Sequence, residues 1–469
     1  MALPRLGDGR TPQVPARAAD RILLTIGSPR ARSLAAVLFF AGACALAALL
    51  VSGHRRGVGA SPVWPAALIA VVVVVARGIH LGRPLTAGHA GTASLLALGA
   101  VAAYLLGQPL PSGAVAIAAA AALVWPMPSR PDSTAVPDVW RLVCQTHGDP
   151  LAPFAMNHQK SYFFNDDASA AVAYRARLGL AVVSGDPVGH PAVFAALVDG
   201  FAAMCRSRGW RVVVLGCSED RVGLWRQARV IRPGLHAVPI GCDVEVDVQQ
   251  FGMSGRRFRN LRQAVARTHN RGITTELADE QNLDPSLAAE LADVLHASHH
   301  SARHERGFSM ILDSALEGRY PGVLLMIGRD STGAVQGFHR YLVAGDGTDV
   351  TLDVPWRRPN APNGLDERLA VDMINWCKAS GTQRLSLAFA AFPDLFDNPN
   401  RTSVEAFYYS LITLGGPLIR LEPLYRYLSK FHALGGKRYV LLAFRHIPLA
   451  LIVLLSLEFL PRRRTLLPR

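Results

Sequence analysis

Acid is what this chain is short of. Its 469 residues hold 35 Asp and Glu against 49 Lys and Arg, a formal net charge of +14. The excess favours anionic partners, nucleic acid or anionic lipid. Cysteine is sparse as well. Cys44, Cys144, Cys205, Cys217, Cys242 and Cys377 are scattered and form no Cys-x-x-Cys pair. That spacing favours buried free thiols in a reducing compartment. Residues 1–32 are polar, with six arginines. They hold no short apolar core followed by a small-residue cleavage site, so a cleaved signal peptide is not expected.

Over long stretches charge is missing altogether. Residues 33–51 and 57–76 are uncharged, and 84–129 carry no formal charge. Gly107 to Gly113 breaks the last stretch into 86–106 and 114–125. Hydrophobic residues make up 50% of the chain. These four runs predict four membrane helices. The N-terminal arginines, Arg77, Arg83, Arg130 and Arg141 would lie on one side, with Arg55 and Arg56 on the other. That imbalance places both ends of the module in the cytoplasm.

Pro126, Pro128, Pro131 and Pro137 mark a linker, after which the composition is that of an α/β domain. Strands are predicted at 161–164, 170–174, 178–183 and 210–217, with helices at 191–208 and 219–227. The same order returns later, with strands at 323–328, 335–344, 349–354 and 384–389 and a helix at 365–380. A repeated βββαβ unit is the outline of an N-acetyltransferase-like (GNAT) fold. The fold class expected is therefore α/β (α+β), tandem GNAT-like domains behind an all-α transmembrane module. The expected division is a basic segment 1–32, membrane module 33–126, linker 127–137, first domain 138–272, second domain 273–446, and an interfacial segment with basic tail 447–469.

Residues 348–376 read as strand, loop and helix. Asp353 closes the strand, Arg357 and Arg358 follow, and Asn363 and Gly364 open the helix. Free amides at a helix start beside two guanidiniums suit an anion. Between the two repeats, residues 256–272 carry Arg256, Arg257, Arg259, Arg262, Arg267 and Arg271 and no acid. Phe258, Leu261 and Val265 share one helical face. The pattern predicts a basic amphipathic helix that offers its outer side to phosphates. His296, His300 and His304 would line up on a helix. One helix supplies only two adjacent ligands, so no metal site is expected.

These pieces, taken together and in order, resemble the catalytic domain of the lysyl-phosphatidylglycerol synthases. The resemblance runs from about Pro137 to Tyr439. It rests on Lys160, Tyr174, Gly185-Asp-Pro-Val-Gly189, the basic helix, Glu305-Arg-Gly-Phe308, Leu352-Asp353, Pro362-Asn-Gly364, Ser386–Phe392, Lys430-Phe431 and Arg438-Tyr439. It implies two tandem GNAT-like domains without CoA or other cofactor. It also implies transfer of an amino acid from aminoacyl-tRNA to a hydroxyl of a membrane phospholipid, at the cytoplasmic side of the cell membrane. The catalytic candidates are Asp353, Glu305, Arg357 and Arg358. Asn363, Gly364, Lys430, Arg438 and Lys160 are candidates for substrate binding. Arg256, Arg257, Arg259 and Arg262 are candidates for binding tRNA or other phosphates.

The chain departs from the family pattern in places. Relatives often have a longer membrane region that flips the product; four helices predict no flippase here. Asp353-Val-Pro-Trp-Arg357 is one residue longer than the family's Asp-x-x-Arg, so Arg357 and Arg358 compete for one role. Ala388, Ala433 and Gly435 stand where relatives have other residues. A GNAT-type transferase acting on a peptidoglycan precursor or other amine, and a non-catalytic membrane scaffold binding tRNA or anionic lipid, are the alternatives.

Overall fold

The structure is a computed structural model that describes residues 20–24, 29–55, 63–228, 231, 234–298, 311–391 and 426–459. A short ribbon pairs β1 (Ile22–Leu24) with β2 (Leu85–Thr86). The helical module comprises α1 (Pro29–Arg55), α2 (Val63–Leu81), α3 (Ala87–Leu105) and α4 (Pro109–Leu123), with α1 against α2, α3 against α4 and α2 against α4. Among the described residues α2 and α3 are long and apolar enough to cross a membrane. At 15 residues α4 is short of that: at ~1.5 Å per residue it spans about 22 Å of a ~30 Å hydrocarbon layer.

After α5 (Val136–Cys144) comes the first repeat: β3 (Ser161–Phe164), β4 (Ala170–Arg177), β5 (Leu180–Ser184), β6 (Val188–Gly189), α6 (Phe194–Ser207), β7 (Arg211–Ser218) and α7 (Val222–Gln227). β8 (His236–Asp247), α8 (Arg259–Asn270), β9 (Thr274–Asp279) and α9 (Pro285–Ala297) connect the repeats. The second repeat is β10 (Val323–Arg329), β11 (Val335–Ala344), β12 (Asp349–Arg357), α10 (Leu365–Ser380) and β13 (Arg384–Ala391). β14 (Leu434–Leu442) and α11 (Ile447–Phe459) close the described chain.

All described strands from β3 onward join one twelve-stranded sheet, in the order β3-β4-β5-β7-β14-β8-β13-β12-β11-β10-β9, with β6 beside β4. Among them only β5 with β7 and β12 with β13 run parallel. The order contains an exchange that the repeat pattern did not predict. β8 follows the first repeat in sequence yet pairs with β13 of the second. β14 follows the second repeat yet pairs with β7 of the first. β8 and β14 also pair with each other, so each half is completed by the other's last strand.

The cores follow from apolar spacing. Leu197, Val198, Phe201 and Cys205 of α6 recur at helical intervals and bury against Val172, Tyr174 and Val214. Leu365, Leu369, Met373 and Cys377 of α10 bury against Val350, Leu352 and Leu385, with Phe258 and Leu261 of the α8 segment closing over them. Each such side chain contributes roughly 1.5–3 kcal/mol. α5 and its following turn cover the opposite face around Leu342 and Val323. α11 packs Ala450 and Val453 onto β5, β7 and β14, leaving Leu451, Ile452 and Leu455 exposed.

Candidate active site

The two halves differ in one respect. β5 and β7 stay paired from Leu180↔Arg211 to Ser184↔Leu215. β12 and β13 pair only from Asp349↔Arg384 to Thr351↔Ser386. Beyond that, β12 continues on β11 and β13 continues on β8, so the sheet splits between them. Backbone polar groups along such a split need a partner, and a substrate can supply one.

Asp353 stands at the mouth of the split. Arg340 faces Val354 and Tyr341 faces Leu352, so Asp353 is the extra residue of a β-bulge. Bulges re-aim side chains, and this one turns Asp353 inward. Its Oδ2 accepts a bond from Arg340 Nη1 at 2.9 Å, and its Oδ1 accepts one from the Leu312 amide at 2.9 Å. Arg340, itself fully buried, also forks onto Glu280 at 2.5 and 2.9 Å. Burial pushes the Asp353 carboxyl up to about 6, while Arg340 and the Leu312 amide hold it down. The expected position, facing an anion loop beside Arg357, is replaced by an internal ion pair because of the bulge.

The loop after β12 also differs from expectation. Asp366 and Glu367 occupy the first turn of α10, so the helix start carries its own anions. Arg357 Nη1 lies 3.4 Å from Asp366 Oδ2, and Lys430 Nζ lies 2.5 Å from Glu367 Oε1. Arg358 Nε donates to the Val335 carbonyl at 2.8 Å. Asn363 is exposed. Gly364 has φ +100, and a Cβ there would lie 2.7 Å from the Ala264 carbonyl of α8. The glycine therefore lets α8 dock on the start of α10.

Arg438 and Lys160 are buried, away from any open surface. Arg438 Nε donates to Asp243 Oδ2 at 2.7 Å, Nη2 to Asp149 Oδ1 at 2.8 Å, and Nη1 lies 3.4 Å from Asp186 Oδ2. Burial pushes Asp186 up to about 6 and Asp243 up to about 7, against the pull of Arg438. Lys160 Nζ donates to the Phe154 carbonyl and to Ser184 Oγ, both at 2.7 Å. Glu305 lies outside the described residues, as do His300 and His304.

One loop ties these groups together. Asp149 meets Arg438, the Gly148 amide reaches Asp349 Oδ2 at 3.4 Å, and the Pro150 carbonyl accepts from Thr351 Oγ1 at 3.0 Å. Arg384 Nε donates to Asp349 Oδ1 at 2.6 Å. Polar links therefore run from the β8/β14 seam to the paired end of the split strands.

The basic helix is present as α8, with Arg256 and Arg257 in the turn before it. Phe258, Leu261, Ala264 and Thr268 are buried, while Arg256, Arg257, Arg259, Arg262, Arg267 and Arg271 are exposed. None of the six meets a carboxylate among the described residues. Arg262 Nη1 instead donates to the Gly255 carbonyl at 2.7 Å. α8 lies against α10 and the turn that carries Lys430.

Sequence reasoning missed Arg340 and Glu280, the partners of Asp353. It also missed His158, whose Nδ1 lies against buried Asp313 Oδ2 while Tyr320 Oη donates to Asp313 Oδ1. Asp186 alone had a signal, since it sits within the Gly185–Gly189 motif.

A tandem α/β transferase-like sheet with a split second half and an arginine-faced helix is the class these features define. The chain belongs to the phosphatidylglycerol lysyltransferase C-terminal family, whose description matches residues 140–442, and so to a family of aminoacyltransferases. It is 52% identical over 454 residues to the MprF-like domain protein Rv1619 of Mycobacterium tuberculosis, covering 96% of this chain and 94% of that protein. It is 30% identical over 294 residues to the lysylphosphatidylglycerol biosynthesis bifunctional protein LysX of Mycobacterium avium. That match covers 62% of this chain and 24% of LysX, so the chain spans about a quarter of that relative. The fold is shared with L-PGS from Bacillus licheniformis, at TM-score 0.59 and 18% identity over 71% of this chain and 99% of that one. It is shared too with the C-terminal domain of an inferred lysylphosphatidylglycerol synthetase from Agrobacterium fabrum, at TM-score 0.60 and 21% identity over 70% and 97%.

Proposed function

We propose that this chain moves an amino acid from aminoacyl-tRNA to a hydroxyl of phosphatidylglycerol at the cytoplasmic face of the cell membrane. The observation that carries the reading is the arginine face of α8, docked beside the split sheet, in a chain of this family. α1 to α4 serve as the membrane module. Leu95, Leu98, Val101 and Leu105 of α3 are exposed, as are Leu34, Val37 and Leu38 of α1, and a bilayer covers such surface.

The reaction exchanges one ester for another. The lipid hydroxyl oxygen attacks the aminoacyl carbonyl carbon, and its proton leaves to a base. The tetrahedral oxyanion then collapses, and the tRNA ribose oxygen leaves and takes up a proton. The barrier lies in orientation, proton removal and oxyanion stabilisation. No metal, CoA or covalent enzyme intermediate is required.

In this reading the arginines of α8 bind tRNA phosphates. Lys430, Arg357 and Arg358 add positive charge around the start of α10, beside Asn363 and Gly364. Asp353 and Arg340 fix the mouth of the split as positioning residues, and Arg438 and Lys160 hold the halves that frame it. Glu305 is the carboxylate left to accept the proton.

The test incubates the purified full chain with phosphatidylglycerol vesicles and tRNA charged with a labelled amino acid, lysine first. A labelled, ninhydrin-positive lipid is the expected product. Its absence with every charged tRNA in turn would sink the reading.

A further inference from the structure

A cavity of about 300 Å³ lies where the helical module meets the first half of the sheet. Arg32, His80, Arg206, Arg211, Trp210 and His446 are among the residues that line it, and no carboxylate does among the described residues. Arg32 and His80 come from α1 and α2, Arg206 and Arg211 from α6 and β7. His446 comes from the turn into α11.

The junction is built tightly. Gly209 has φ +68, and a Cβ there would lie 2.8 Å from the Gly82 carbonyl. Gly82 in turn leaves room for the Arg32 guanidinium, which a Cβ would strike. The turns after α2 and α6 are therefore in direct backbone contact, with Arg32 wedged beside them. Burial and the neighbouring charges of Arg445 and Arg32 lower the pKa of Arg211. Burial and the charges of Arg445 and Arg211 likewise lower that of His446. Cations brought this close repel one another, and a bound anion would relieve that repulsion.

The flanks of the cavity indicate the anion's source. Immediately after Arg32, α1 exposes Leu34, Val37 and Leu38. Immediately after His446, α11 exposes Ile447, Leu451 and Ile452. A phosphate in the cavity would have apolar helix surface on both sides for acyl chains, the arrangement of a cytoplasmic-side lipid site.

We propose that this cavity binds the phosphodiester headgroup of an anionic phospholipid, at a site separate from the transfer site. Arg211 opens β7, and β14 and β8 stand between β7 and the β13 edge of the split. At ~4.8 Å between neighbouring strands, β7 and that edge lie roughly 14 Å apart across the sheet. The inference rests on the membrane placement of α1 and α2 but not on aminoacyl transfer, so its readout is binding rather than turnover.

The experiment follows the Tm of the purified full chain in nonionic detergent during titration with dihexanoyl phosphatidylglycerol, dihexanoyl phosphatidylcholine and glycerol phosphate. The expected result is a saturable rise of about 3 °C or more with phosphatidylglycerol alone. R206Q/R211Q should cut it by more than half, the remainder being phosphatidylglycerol at the transfer site, and R206K/R211K should keep it. R211Q alone should weaken binding about tenfold while leaving the lipid-free Tm unchanged or higher, because one repelling cation is gone. A purely structural Arg211 would give the opposite, a lower lipid-free Tm. An equal rise with phosphatidylcholine, an equal rise with glycerol phosphate, or an unaltered rise in R206Q/R211Q and R211Q would overturn the proposal.

Discussion

Arg438 of β14 and Asp243 of β8 are 195 residues apart in the chain and joined at 2.7 Å, on two strands that each complete the opposite half of the sheet. Asp149 and Asp186 share the same guanidinium. Three carboxylates on one cation make the seam sensitive to loss of that cation. Arg438→Met should destabilise the chain by about 3 kcal/mol or more, since it leaves buried carboxylates uncompensated. Denaturant unfolding of the solubilised protein measures this. A loss under about 1 kcal/mol would show that the cluster does not hold the seam.

The same cluster sets a pH dependence. Asp186 and Asp243 sit at about 6 and about 7 in the folded chain, above the ordinary value of 3.8. The folded state therefore binds protons more tightly than the unfolded one. The stability these groups contribute is full below about pH 4 and is lost as pH rises through about 6 to 7. Between pH 5 and 8 the Tm of Asp243→Asn should fall less steeply than that of the native chain. Parallel curves would remove Asp243 from the titration.

Asp353→Asn turns one acceptor oxygen into a donor. Whichever way the amide faces, either Arg340 or the Leu312 amide loses its partner. The variant should lose roughly 2–3 kcal/mol of stability and transfer at least a hundredfold more slowly, as the mouth of the split shifts. Glu280→Gln should reproduce part of both effects through Arg340, although Glu280 lies off the split. Near-normal transfer by a folded Asp353→Asn would take this network out of the reaction.

Replacing Arg256, Arg257, Arg259 and Arg262 with Gln should weaken tRNA binding and flatten its salt dependence. Each tRNA phosphate that is no longer neutralised should remove about 0.7–0.9 from the slope of log K against log salt. Filter binding across a series of salt concentrations reads the slope. An unchanged slope would make this surface a plain solvated face.

A reporter fused after Arg141 should behave as cytoplasmic, because charged tRNA is found on that side. A periplasmic signal would invert the topology and remove tRNA as donor.

Much of the fold was legible in the sequence because it is local. The predicted strand at 335–344 and helix at 365–380 are found with the same ends, since a run rich in Val, Phe, Tyr and Leu between glycines and four-residue apolar spacing define them. The arginine face of α8 was legible for the same reason. The strand exchange was not, because β8 and β14 were not predicted as strands: Pro239 interrupts one, Gly435 and Gly436 open the other, and their partners lie far away in sequence. Nor was the fate of Asp353. A one-residue bulge decides whether it faces the loop or Arg340, and Pro355, two residues on, hints at a bulge without fixing which residue is the extra one. The contact of Arg357 with Asp366, nine residues on, was not legible either, because it depends on how the loop folds back onto the start of α10.

The exchange of last strands also bears on how the chain is made. Gly216 of β7 and Arg438 of β14 touch across 222 residues of sequence. While a ribosome lengthens the chain, β7 must wait with one edge unpaired until β14 has emerged. The first repeat therefore cannot finish folding as an independent unit, and its open edge is most exposed to mispairing during that interval.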